Sequence, residues 1–208
     1  MRKIFLWLLM AISLTSVKAQ EVTMRQMWVE MPDSMIPYLS KESRTELMDY
    51  VDMKMKASTM NLLSSETVVD TLTHDFISVK LSASSVLEMR LLKRTDGKPL
   101  LCSVQTFYGP APSSEIHFYD TYWQPVTGTF IRQLTDSELL ARPVDMDDEE
   151  WGRVMSYFVP KMTVYKLSDS DESITVSYSY IFNSEDDKVN MNHVVLQKKL
   201  NWNGQIFK

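Results

Sequence analysis

Three histidines, a single cysteine and a scatter of acids are the side chains of this sequence that could do chemistry. The histidines stand far apart, at His74, His117 and His193. His117 has hydrolase partners close by, because "SEIHFYD" sets it between Ser114 and Asp120. Nucleophilic hydrolysis needs serine, imidazole and carboxylate in contact. Side chains alternate along a strand, so His117 and Asp120 start on opposite faces. No Gly-x-Ser-x-Gly turn is present to expose a nucleophile. The expectation is an ordinary sheet histidine.

Metal and cofactor chemistry find little more. The histidines lack the H-E-x-x-H spacing of a zinc helix, and one thiol cannot build a cysteine site. "DMDDEE" (145–150), "SDSDES" (168–173) and "SEDD" (184–187) cluster hard oxygen ligands. None has the glycine and closing glutamate of a calcium loop. A helix start and two solvated turns account for them. The five glycines form no phosphate cradle. A paired-carboxylate glycosidase could draw its acids from anywhere in the chain, and nothing nominates a pair. Cys102, in "LLCSVQ", reads as a small buried hydrophobe. No cofactor is expected.

Aromatic residues are the more suggestive group. "QTFYGPAPSSEIHFYDTYWQP" sets Phe107, Tyr108, Phe118, Tyr119, Tyr122 and Trp123 around a proline loop. Rings with polar tips are enriched at recognition surfaces, and loops often carry function. Phe107, Tyr108, Tyr119, Tyr122 and Trp123 are therefore the candidate binding residues, with the 31–38 lead-in as a second element. The competing expectation is that these rings only pack the sheet. The methionines beside Trp28 (Met24, Met27, Met31 and Met35) could likewise serve an adaptable surface or fill a core.

These residues need elements to hold them. "QEVTMRQMWVEMP" reads as extended. An amphipathic helix is expected near 41–57, where Leu47, Tyr50, Val51 and Met55 recur at helical spacing behind Ser40 or the Ser43–Glu46 pair. Pro32 and Pro37 belong to its lead-in. From 66 to 120 the period changes to two, as in Ile77, Val79 and Leu81 or Cys102, Val104 and Thr106. "TDGKP" (95–99) supplies a hairpin turn, so neighbouring strands run antiparallel. "GPAPSS" (109–114) interrupts them as a loop. A second helix follows near 147–158, and strands return at 161–167, 173–182 and 193–202. The expected fold class is α+β: antiparallel sheet with helices packed on one face. Helix-then-strands occurs twice, which raises two pseudo-repeat halves at 31–125 and 134–208 within one domain of 20–208.

The N-terminus sets the compartment. Arg2 and Lys3 precede an apolar run from Ile4 to Leu14, and Val17 and Ala19 fit the −3 and −1 positions of a cleavage site. This predicts a signal peptide over 1–19 and export, to the periplasm or cell surface. The run is too short to span a bilayer, and no later segment is long enough. Losing Arg2, Lys3 and Lys18 takes the formal charge from −5 to about −8. That balance argues against nucleic acid, which requires a basic face, and against anionic membrane surfaces. With one cysteine, no intrachain disulfide can form, so stability rests on the core.

Three stretches carry a family resemblance: "MPDSMIPYLSKESRTELMDYV" (31–51), "PAPSSEIHFYDTYWQP" (110–125) and "LNWNGQIF" (200–207). Together they resemble an uncharacterised secreted family of Bacteroidales, a domain of unknown function. The resemblance implies an exported, envelope-associated protein and brings no activity, cofactor or catalytic residue to transfer. The functional expectation is a non-enzymatic binding or interaction domain of the cell envelope, with an envelope protein or glycan as partner. The alternative is an envelope hydrolase or processing enzyme whose site assembles from distant residues such as His117, Asp120 and His193.

Overall fold

A computed structural model describes residues 21–181, 191 and 193–208. The expected signal peptide and "SEDD" (184–187) lie outside the described residues. Six strands form one antiparallel meander in chain order. They are β1 (Ser58–Met60), β2 (Glu66–Leu72), β3 (Phe76–Ser82), β4 (Ser85–Lys93), β5 (Pro99–Tyr108) and β6 (Pro112–Tyr119). A second antiparallel sheet holds β7 (Met162–Leu167), β8 (Ser173–Ser179) and β9 (Lys198–Asn201). Helices α1 (Met24–Glu30) and α2 (Lys41–Asp52) precede the meander, and α3 (Asp136–Leu139) and α4 (Asp148–Ser156) lie between the sheets in sequence. The α+β class with helices on one sheet face is what the strand periodicity predicts.

Strand alternation gives the large sheet two unlike faces. One carries Ile77, Val79, Leu81, Leu87, Met89 and Leu91, and α1 and α2 cover it with Met24, Met27, Trp28, Leu47 and Met48. The other carries Phe76, Leu92, Leu100, Cys102 and Val104, and meets Leu167, Ile174, Val176 and Leu200 of the small sheet with Trp202 and Phe207. This second core draws on residues from both of the expected halves. A third cluster joins Val154 and Phe158 to Leu140, Met146 and Val194. Cys102 is fully buried, and burial pushes its thiol far above the ordinary range, as a packed hydrophobe requires.

Two expectations along the chain are corrected. The segment "MRQMWVE", read as extended, is helix α1. Met24, Met27, Trp28 and Met31 recur at i, i+3, i+4 and i+7 and all are buried. The Thr23 hydroxyl caps the helix by accepting the Gln26 N–H at 3.2 Å. Helix α2 stops at Asp52, five residues short of the predicted end. Lys54 takes the left-handed conformation (φ 55°) in the place usually given to glycine, and the chain then extends so that Ala57 C=O accepts the Val69 N–H.

Candidate binding cleft

Strand β7 is the terminal strand of the small sheet, so its outer edge carries unpaired backbone groups. Two of these are met by side chains of the large sheet. Tyr165 N–H donates to Ser114 Oγ at 3.1 Å, and Leu167 N–H donates to Glu88 Oε2 at 2.9 Å. The small sheet therefore docks by an edge onto a face of the large one, and its two faces meet different surroundings. Tyr165, Leu167, Ile174 and Val176 turn into the shared core. The alternate positions on the other face, the paired Val164–Ser177 and Lys166–Thr175, line an open corner against Thr71, Ser78 and Glu88.

That corner is a cleft of about 610 Å³. Six hydroxyl residues line it, beside the Gln197 amide, the charges of Glu88, Lys166, Asp169 and Lys199, and the apolar Phe76, Val164 and Leu167. Lys199 is held by Asp171 at 2.7 Å. Glu88 is half-buried, and that burial raises its carboxyl above the ordinary value; the Leu167 N–H and Lys166 oppose the shift, and Asp169 adds to it. A perturbed carboxyl in a concave, hydrogen-bonding site marks a place where ligand binding is commonly found. The sequence reasoning missed this site. Its one signal was Glu88 on the face that also carries Phe76 and Val104, an acid among core residues.

The residues singled out from sequence go elsewhere. Phe107 and Tyr108 are exposed at the turn end of the β5–β6 hairpin. Tyr122 and Trp123 follow the opposite end of β6, and eight strand residues separate the two groups by roughly 25 Å at about 3.3 Å per residue. Tyr122 is 81% exposed, whereas Trp123 is only 7% exposed and packs on Tyr119 at 5.6 Å between ring centroids. Phe118 packs into the inter-sheet core. The five candidate residues thus do not form one surface. His117 Nε2 lies 3.6 Å from Glu115 Oε2 on a solvent-exposed strand face. Ser114 projects to the other face, toward Thr106, and Asp120 Oδ1 is engaged by the Tyr122 and Gln124 N–H groups. His74 and His193 are exposed. Among the described residues, no group of three or more His, Cys, Asp or Glu side chains is placed to hold a metal.

The acidic runs have structural roles where they are described. Asp147 caps α4 by accepting the Glu150 N–H at 2.8 Å, and Asp148 pairs with Arg142. Asp171 pairs with Lys199 in the β7–β8 turn, and hydrogen bonds from Lys199, Ser173 and Ser168 hold its carboxyl well below the usual range.

Two antiparallel sheets joined edge to face, with helices over one side, define an α+β protein with a polar corner cleft. A family model described as "Protein of unknown function (DUF3256)" matches residues 14–207, and the chain belongs to that family. It is also similar to a solved domain of an uncharacterized protein from Porphyromonas gingivalis W83. The two are 19% identical with a TM-score of 0.69, over 88% of this chain and 96% of that one. At that identity the likeness shows the fold alone. No curated protein matches the chain. Among the described residues no helix is long and apolar enough to cross a membrane.

Proposed function

We propose that this chain is an exported, non-enzymatic binding domain of the bacterial cell envelope, and that the corner cleft is its ligand seat. The observation that carries the reading is the cleft itself: a hydroxyl-lined recess of about 610 Å³ with a half-buried carboxyl in its wall. Hydroxyls, an amide and charges of both signs suit a small polar ligand, and a segment of envelope glycan matches that chemistry better than an apolar molecule. The basic, apolar and small residues of 1–19 support export.

Isothermal titration with a panel of mono- and disaccharides, including amino sugars, tests the reading on the chain beginning at Gln20. Saturable binding by one sugar, lost in Ser78→Leu and in Thr175→Met at unchanged thermal stability, supports it. Two results overturn it: no saturable binding by any member of the panel, or binding that both variants retain.

A further inference from the structure

Large apolar side chains gather in solvent around β1, the outer strand of the six-stranded sheet. Met53, Met55, Met60, Leu62 and Leu63 belong to one short stretch of chain, and each is between 59% and 80% exposed. The two leucines stand on a firmly built turn. Asn61 is buried, and its amide donates to Thr67 Oγ1 at 3.1 Å and to Leu81 C=O at 2.9 Å. Its side-chain oxygen accepts the Leu63 N–H at 2.9 Å and the Ser65 N–H at 3.2 Å. Ser64 completes the turn at φ 57°. These bonds hold Leu62 and Leu63 at a fixed tip in water.

The methionines lie at the other end of the strand. Ala57 C=O accepts the Val69 N–H, and Asn61 N–H donates to Ser65 C=O, so 57–61 runs extended beside β2. It separates the methionine end from the leucine end by about 13 Å at roughly 3.3 Å per residue. Met60 falls between them, which makes the five side chains one band along β1.

We propose that this band joins two copies of the chain about a two-fold axis beside Thr59. Antiparallel packing of one band on its copy sets each leucine end against the other copy's methionine end, as a self-complementary two-fold contact requires. The ends are suited to each other: fixed leucine knobs meet long, unbranched methionines that adapt to what they touch. Area agrees. Five side chains more than half exposed present on the order of 500 Å² per copy, at the upper end of what a monomer normally shows. Two such bands bury about 1,000 Å², the size at which specific interfaces begin. Tyr38 C=O already takes the Leu62 N–H, so side chains make the contact rather than a ladder between the two β1 strands. Charge argues against a membrane as the occupant. The band holds Lys54 and Lys56, and Glu66 neutralises Lys56, in a chain that is acidic as a whole. None of the five residues lines the cleft, so ligand binding there and dimerisation stand or fall separately.

Sedimentation equilibrium of the chain beginning at Gln20 tests this. An interface of this size gives a dimer at about 500 µM that dissociates on dilution toward about 5 µM. Leu62→Asp with Leu63→Asp removes one end of the contact, and Met53→Lys with Met55→Lys removes the other. Each double variant is monomeric at about 500 µM, and its melting temperature in dilute solution matches wild type because the replaced side chains are exposed. Mixed in equal amounts, the two variants dimerise again: one contact is native and the other pairs aspartate with lysine. The proposal is overturned by a monomeric wild type at about 500 µM, by assembly beyond the dimer, by a dimer that either variant retains, or by a mixture that stays monomeric. Flotation with phosphatidylglycerol vesicles leaves wild type unbound; binding that the leucine variant loses would make a membrane the occupant and overturn the dimer.

Discussion

Glu88 Oε2 accepts the Leu167 N–H at 2.9 Å, joining two residues 79 positions apart and fixing the edge of the small sheet to the face of the large one. The same contact makes a pH prediction. Burial raises the Glu88 carboxyl above its ordinary value. The folded protein therefore keeps this proton to higher pH than the unfolded chain. Its contribution to stability is complete below the unfolded pKa, about 4.3, and is lost as pH rises through the folded value. Glu88→Gln keeps an acceptor for Leu167 and removes the buried charge. Its melting temperature should match wild type near pH 4 and exceed it at pH 7–8 by a few degrees, about 2–4 °C per kcal/mol in a chain of this size. Thermal melts across pH 4–8 decide this, and a variant less stable than wild type at pH 7 would refute it.

Arg44 explains the motif "MPDSMIPYL" that introduces α2. Its side chain is fully buried and donates to three main-chain carbonyls: Trp28 at 3.1 Å, Leu39 at 2.7 Å, and Met31. Asp33 closes the set at 2.9 Å, and the Trp28 indole returns a bond to Arg44 C=O at 3.2 Å. The fork of a guanidinium can serve several acceptors at once, which a lysine ammonium cannot do in the same geometry. Removing it orphans buried carbonyls at about 1–3 kcal/mol each. Arg44→Met should therefore lose roughly 3–5 kcal/mol in denaturant unfolding. Asp33 is 62% exposed, and Asp33→Asn should lose less than about 1 kcal/mol. Equal losses in the two variants would show that the carboxylate, not the carbonyl set, holds Arg44.

The fold was readable where one local signal had one meaning. Alternation over Ile77–Leu81 and Cys102–Thr106 set strand faces, and the Asp96-Gly97 turn, with Gly97 at φ 78°, set an antiparallel hairpin. Helix α1 was readable but overlooked, because four buried residues at helical spacing were interspersed with Arg25, Gln26 and Glu30. The cleft was not readable. It arises where β7 docks on β4 through the Glu88–Leu167 contact, and Ser78, Glu88, Lys166 and Thr175 carry no trace in their local sequence of being neighbours. The aromatic segment 107–123 was found, but its meaning was misjudged from composition. A strand eight residues long separates its two ends, and within one of them Trp123 is buried while Tyr122 is exposed, a division that no residue type encodes.

The adjacent pair Tyr122 and Trp123 separates packing from exposure most sharply. Asp120 organises the turn by accepting the Tyr122 N–H at 2.8 Å and the Gln124 N–H at 2.9 Å. Trp123 is held there in the left-handed region (φ 63°), a conformation that costs a bulky residue energy unless packing compensates. Packing does so: Trp123 belongs to the core beneath α1 and α2 and meets Tyr119. Tyr122 points into solvent. Trp123→Ala should thus destabilise the protein by about 3–5 kcal/mol, and Tyr122→Ala should stay within about 0.5 kcal/mol of wild type. Guanidinium unfolding of the two variants measures both. Comparable losses would mean that Tyr122 packs in solution, and negligible losses in both would remove Trp123 from the core.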